Sequence, residues 1–149
     1  MTTTTNEKKA VEAVIKEWLA ALNKNDAKRV RATWDSTYPH LTYIAEESND
    51  AIHGWAGVEG YYGGLERDVS KADWKMDNLK IDVLGDVAWV YLTFVVEAHI
   101  IPFKRTMVFP GRNTFVLRKA KGQWKFIHYH ESLSRDNSRK TWDWFFQKK

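Results

Sequence analysis

The segment Gln123 to Ser132 carries the densest run of side chains able to do chemistry, with His128, Tyr129, His130, Glu131 and Ser132 in succession. Alternation along an extended chain divides this run between two faces. Trp124, Phe126, His128, His130 and Ser132 fall on one, and Lys125, Ile127, Tyr129, Glu131 and Leu133 on the other. Only one set can line a cavity, and a single inserted residue reverses which one. If the second set faces in, Glu131 is a carboxylate with a destabilised anion, poised near neutral pH as a general acid or base. Tyr129 on the same face offers an O–H to an oxyanion developing on a substrate. Glu97, on another extended stretch with Tyr91 and Thr93, is a candidate second carboxylate, and two acids in one apolar cavity titrate apart. The bland alternative is a structural salt bridge from Glu131 to Arg105, Arg112 or Arg118. If the first set faces in, His128 and His130 share a face and can chelate. Their third ligand would be His99, Glu97 or His53. The spacing selects none of these, and two ligands make a weak site, so no metal is assigned.

These side chains need a scaffold. Val11, Val14, Ile15, Trp18, Leu19 and Leu22 recur at helical spacing and form one apolar stripe. Thr4 and Glu7 match a capping box ahead of it. Asn23-Lys24-Asn25 ends this helix, and Asp26 is suited to N-cap a shorter second helix carrying Val30 and Trp34. Leu41 to Ile44 reads as a short strand and Ala51 to His53 as its return, separated by a polar turn from Glu46 to Asp50. Gly54 and Gly57 bracket a break before a third short helix with Val58, Tyr61, Tyr62 and Leu65, whose end Gly63-Gly64 weakens.

Beyond residue 78 the period changes. Leu79, Ile81 and Val83 alternate with Lys80 and Asp82 as a strand does. Gly85-Asp86 is a hairpin turn, Val87 to Ile100 a long strand, and Pro102 its end. Arg105 to Arg118 is the next long strand, with a bulge or sharp bend expected at Pro110-Gly111. Ala120-Lys121-Gly122 turns into the last strand. Helices followed by a meander of long bent antiparallel strands make an α+β plan: a curved sheet around N-terminal helices, with a cavity at the open end.

The 149 residues suit a single domain, with a core over about 7–133 and an aromatic C-terminal tail over 134–149. The tail ends in Trp142-Asp143-Trp144-Phe145-Phe146, an apolar run expected to dock on the domain, over the pocket or on a partner subunit. With no cysteine, thiolate chemistry and disulfides are excluded, which suits a reducing compartment. No signal peptide or membrane-length apolar run is legible, so a cytoplasmic location is expected. The net charge of +4 is spread among acids and reads as a solvated surface, with no nucleic-acid partner and no membrane. Eight tryptophans indicate large apolar surfaces in a core, pocket or interface. Tyr43 and Trp55 flank the expected mouth, Tyr61 belongs with them, and Trp18 belongs to the cavity floor. No phosphate loop, Rossmann fingerprint or Ser-His-Asp set appears, and no cofactor is assigned.

Asn113-Thr114-Phe115-Val116-Leu117, followed by Gly122-Gln123-Trp124 and His128-Tyr129-His130-Glu131-Ser132, resembles the SnoaL-like proteins of the nuclear transport factor 2-like superfamily. It is also similar to the association (hub) domain of calcium/calmodulin-dependent kinase II. Ile52-His53-Gly54 and Gly60-Tyr61-Tyr62 add to the likeness, which covers most of Val11 to Ser132. The resemblance implies a cone-shaped, cystatin-like fold and a homodimer made through the sheet. It spans isomerases, cyclases, hydrolases and dehydratases as well as non-catalytic hubs, so it implies no one activity. It places Tyr129 and Glu131 inside, with Asn113, Phe115 and Leu117 on the neighbouring strand, and His128 and His130 outside. Where the hub pocket has two arginines, a histidine and a glutamate, this chain has Phe115, Glu131, Val58 and Ile44. A small carboxylate is therefore not its ligand. The sequence reading is a small-molecule pocket for an apolar or aromatic compound. Glu131 would move a proton, Tyr129 polarise an oxygen and Asn113 orient, and the alternative is a non-catalytic oligomerisation or ligand-sensing domain.

Overall fold

In the computed structural model, which describes residues 3–134, the first helix is longer than its apolar stripe. It is α1 (Thr3–Asn23), and Val11, Ile15, Trp18 and Ala21 are its buried positions. Thr4 and Glu7 lie inside it, so they form no capping box. The Glu7 carboxylate instead accepts hydrogen bonds from Lys119 Nζ and Trp124 Nε1, each at 2.7 Å, and ties the helix to the sheet. The helix ends at Asn23, whose amide pairs with the backbone of Trp74 as a strand would (Nδ2 to O 3.1 Å, N to Oδ1 2.6 Å). Asn25 takes the left-handed conformation (φ 51°), which asparagine tolerates.

Asp26 caps α2 (Ala27–Ala32), accepting from Arg29 N at 3.0 Å. Trp34 falls just beyond this helix, where it bridges Phe126. Two short strands follow, β1 (Thr42–Ile44) and β2 (Ile52–His53). The third helix is not broken at its glycines: α3 runs over Gly54–Asp68, straight through Gly63 and Gly64. Gly57 is there for packing, since a Cβ would stand 2.7 Å from Ile52 Cγ2.

The long strands are β3 (Val69–Leu84), β4 (Val87–Ile100), β5 (Arg105–Ala120) and β6 (Gln123–Leu133). β3 starts ten residues before the alternation read from Leu79. Ala72, Trp74 and Met76 already alternate with Asp73, Lys75 and Asp77, and a register shift between Asp77 and Lys80 then resets the phase. The order across the sheet is β2-β1-β6-β5-β4-β3. All pairs are antiparallel except β1 with β6, which run parallel, so the sheet is mixed at that one seam and is not closed. The expected bulge at Pro110-Gly111 is absent, because β5 stays in continuous register with β4 from Arg105 to Arg118. Gly111 serves a different need: it faces Phe94, whose ring would lie 2.5 Å from an added Cβ.

The core lies between α1 and the concave face of the sheet. Trp18 sits edge-on to Phe115 at 5.2 Å and to Phe126 at 6.3 Å. Burial on this scale accounts for several kcal/mol, since truncating a buried Trp costs about 3–5 kcal/mol. No described helix is long and apolar enough to cross a membrane. The aromatic tail read at Trp142–Phe146 lies outside the described residues.

Candidate active site

One extra residue in β6 decides which side chains face the helices. Val116 pairs with His128, but the next residue, Leu117, pairs with Phe126, so Ile127 is left over as a bulge. The phase therefore switches in mid-strand. Trp124 and Phe126 are buried before the bulge, and Tyr129 and Glu131 after it. The two alternation sets do not compete, because each contributes its half to the inside. His128 and His130 fall on the outer face, with rings 6.5 Å apart. Burial and the neighbouring His130 lower the pKa of His128. Among the described residues no group of three His, Cys, Asp or Glu is placed to hold a metal.

A cavity of about 460 Å³ opens between the concave face and the helices α1 and α3. Trp18, Tyr43, Tyr61, Tyr62, Trp74, Phe94 and Tyr129 supply its rings. Its far wall follows β4 and β5 through Val96, Ala98, Ile100, Met107 and Phe109 toward Phe103. Three carboxyl groups, Glu46, Glu47 and Glu131, gather at the other end.

Glu131 is only 9% exposed, and burial pushes its carboxyl up to about 7. The Tyr129 hydroxyl and the backbone N–H of Glu46 bond to the carboxylate and oppose that rise. Glu46 stands just past the end of β1. Burial first, then the charges of Glu131 and Glu47, push it up to about 8. Its Oε2 atom is buried without a hydrogen-bond partner. Glu47 accepts from the Tyr61 hydroxyl at 2.6 Å. Burial holds the phenols of Tyr43, Tyr61 and Tyr129 far above their ordinary range, so all three remain donors. They are also packed together: Tyr43 stacks on Tyr129 at 4.3 Å and lies 4.4 Å from Tyr61. Two carboxyl groups that titrate at about 7 and about 8, in an apolar chamber, can take a proton from one position on a ligand and return it at another.

Of the residues expected at the site, Trp18, Tyr43, Tyr61, Tyr129 and Glu131 line the cavity. Phe115 and Val58 are fully buried behind it, as core. Ile44 follows Tyr43 on a strand and so faces the other way, opposite His130. Trp55 packs against the core from the start of α3. Asn113 pairs with Glu131 in the β5–β6 register and is 1% exposed; its amide faces the Glu131 carboxylate and helps hold its pKa down, although neither amide atom makes a close hydrogen bond among the described residues. Glu97 is a correction. It lies on the opposite face of β4, in a surface groove with Asp73, His99 and Thr106, because its neighbours Val96 and Ala98 take the inner positions. The salt bridges weighed for Glu131 do not form: Arg118 pairs with Asp35 at 2.5 Å, Arg112 donates to Ser132 at 2.9 Å, and Arg105 stacks over Phe103. The second carboxyl group in the cavity is Glu46. Sequence reasoning gave Glu46 and Glu47 to a polar turn, and their adjacency to Tyr43 on an inward-facing strand was the available signal.

The SnoaL-like domain profile matches residues 11–136. The chain belongs to the SnoaL-like family. No functionally curated protein matches it by sequence. Among solved structures it is similar to a candidate dehydratase of the nuclear transport factor 2-like family from Streptomyces avermitilis, with TM-score 0.79, 14% identity and coverage of 89% of this chain and 99% of the other. It is also similar to a candidate scytalone dehydratase from Novosphingobium aromaticivorans, at 0.78 and 18%, covering 90% and 89%. A third likeness is to a candidate calcium/calmodulin-dependent protein kinase II association domain from Xanthomonas campestris, at 0.67 and 22%, covering 85% and 86%. These structural likenesses, at identities this low, show the fold alone: the cone-shaped, cystatin-like α+β fold. The SnoaL-like family includes dehydratases, isomerases and ligand-binding proteins, and proteins of this fold commonly bind small ligands and form dimers.

Proposed function

We propose that this SnoaL-like chain is a small-molecule pocket protein. Its cavity carries out cofactor-free acid–base chemistry, of isomerase, cyclase or dehydratase type, on an apolar or aromatic substrate. The observation that supports this most is the pair of carboxyl groups, Glu131 and Glu46, held at about 7 and about 8 inside a chamber of aromatic rings. Near pH 7, Glu131 is the base and Glu46 the acid. A proton leaves a carbon or hydroxyl of the substrate for Glu131, and Glu46 donates one where the leaving group or new bond needs it. Tyr129 holds the Glu131 carboxylate. Because its hydroxyl is committed there, polarisation of a substrate oxygen falls to Glu46, and Asn113 supports Glu131 from the neighbouring strand rather than touching substrate. The carbon-acid probe 5-nitrobenzisoxazole, an apolar ring opened by one proton abstraction, tests the arrangement. Wild-type protein should accelerate its opening, and Glu131→Gln should lose about 100-fold or more of that rate while keeping the fold. An unchanged rate in the variant would remove Glu131 from the role.

The competing reading is a non-catalytic assembly or sensing domain. The apolar outer face of the sheet favours it, with Trp89, Val95 and Val108 exposed. We place a homodimer contact on that face under either reading. The chain works in the cytoplasm, a compartment that its lack of cysteine suits.

A further inference from the structure

The ionisable groups lining the cavity are acids. Glu46, Glu47, Asp68 and Glu131 line it, and among the described residues no Lys, Arg or His does, in a protein whose net charge is +4. Asp68 is paired with Arg67 at 2.8 Å, which leaves the three glutamates as the uncompensated group. Their partners within the protein are phenols and a backbone N–H, never a cation. Among the described residues two buried polar atoms at the cavity make no close hydrogen bond: Glu46 Oε2, and the indole N–H of the almost fully buried Trp18, whose weak partner is the Tyr62 hydroxyl. A carboxylate withdrawn from water is costly unless a positive charge or hydrogen bonds replace the water. Rings around such a group favour a cation over an anion, since their π faces carry negative potential.

The polarity is graded along the cavity. Glu131 sits opposite Asn113 on β5, and β4 runs from that level through Phe94, Val96 and Ala98 to Ile100. At about 6.6 Å for every two strand residues, the apolar wall from Phe94 to Ile100 extends roughly 20 Å, and the polar residues at its far end, Asn25 and the Arg67-paired Asp68, are already partnered. The exposed side chains of Ile101 and Phe103 continue it to the surface.

From this gradient we infer that the ligand is an amphiphilic cation, an amine on an apolar or aromatic body. Its ammonium sits among Glu46, Glu47 and Glu131, and its body lies along Trp74, Phe94 and Phe109. An acceptor atom near the ammonium satisfies the Trp18 N–H. The inference rests on the pocket reading above and names the ligand class for the same site. A carboxylate ligand is excluded by the same charges that attract the amine.

Three soluble probes with one body separate the possibilities: 3-phenylpropylammonium, 3-phenylpropan-1-ol and 3-phenylpropanoate, titrated at pH 9, above the titrations of Glu131 and Glu46 at about 7 and about 8, while following tryptophan fluorescence, to which Trp18 and Trp74 of the cavity wall contribute. The ammonium should bind about ten-fold or more tightly than the alcohol, and the carboxylate more weakly than either. Glu46→Gln should erase most of the ammonium preference and leave alcohol binding in place. Glu47→Gln, at an exposed position, should narrow the preference and serves if the buried substitution does not fold. Equal binding of alcohol and ammonium, tighter binding of the carboxylate, or a preference unchanged in both variants overturns the cation inference and leaves the pocket reading standing. Binding of none of the three overturns both.

Discussion

Tyr43 lies flat on Tyr129, ring centroids 4.3 Å apart and planes 11° apart, so that the parallel seam between β1 and β6 is sealed by an aromatic stack beside Glu131. The stack fixes the Tyr129 ring, and its hydroxyl in turn fixes the Glu131 carboxylate. Tyr129→Phe keeps the stack and removes the donor. That bond lowers the Glu131 pKa, so its loss moves the titration upward from about 7. A carbon-13 NMR titration of the Glu131 carboxyl group reads the shift directly. A midpoint that stays or falls would show that Tyr129 does not stabilise the anion. The stability cost should be modest, about 1–3 kcal/mol for a hydrogen bond to a charged group.

Both buried glutamates make folding pH-dependent, with a definite sign. In the unfolded chain they titrate near 4.5, and in the folded chain at about 7 and about 8. The folded state therefore holds more of their protons in this window, so the stability these two groups contribute is full below about pH 4.5 and is lost as pH rises from there through the folded values. Asp35 is pushed up by burial but pulled further down by Arg118 and Thr37, so its contribution is confined to more acid conditions. Urea midpoints for wild-type protein should fall between pH 5 and pH 8. Glu131→Gln should flatten that fall and stabilise the protein at pH 8 by an amount on the order of 2 kcal/mol. A variant with the wild-type slope would mean that Glu131 is already ionised in the folded protein.

The fold was legible where the sequence obeys one period at a time. The α1 stripe, the β4 limits and the turn at Lys121-Gly122 are local signals, and each stands where the pattern puts it. What periodicity cannot carry is phase. Ile127 looks like any β-branched strand residue, yet it is the one that β5 leaves unpaired, and it alone lets Phe126 and Tyr129 share a face. Family likeness placed Glu131 correctly beside the cavity because it encodes that phase indirectly. It misplaced Val58 and Ile44, where apolar substitution has turned pocket positions into core and outer face. Glu97 failed for a simpler reason: Val96 and Ala98 are the apolar partners in its alternation, and only one parity can be inside. Glu46 was missed because its polar neighbours read as a turn, and its place just past the inward-facing Tyr43 was the one local hint of a burial that packing between distant segments completes.

Gly111 offers a test of how tightly the cavity wall is built. An added Cβ would stand 2.5 and 2.7 Å from the Phe94 ring and 2.9 Å from the Ser132 carbonyl oxygen. The ring can swing, but only into the cavity it lines, and the backbone oxygen cannot yield without disturbing the β5–β6 pairing. Gly111→Ala should therefore cost about 1–3 kcal/mol of stability and weaken binding of any probe that reaches Phe94. Thermal unfolding together with probe titration checks both. Wild-type stability and affinity in the variant would mean that the strands separate there with little resistance.

The outer face carries the last prediction. Trp89, Val95 and Val108 are 43%, 45% and 55% exposed, and cross-strand pairing sets Trp89 beside Val116 and Val95 beside Pro110 on neighbouring strands. Exposed apolar side chains interspersed with polar ones on a sheet face suit an interface, and a second copy of the same face is complementary to it by two-fold symmetry. Wild-type protein should run as a dimer in size-exclusion chromatography with light scattering. Val95→Lys, which sets a charge in the middle of the face, should yield a monomer with the cavity intact, since residue 95 points away from the helices. The inner residues Phe94 and Val96 are untouched, so the variant should still bind the cavity probes. A wild-type monomer, or a dimer that survives the lysine, would move the interface elsewhere.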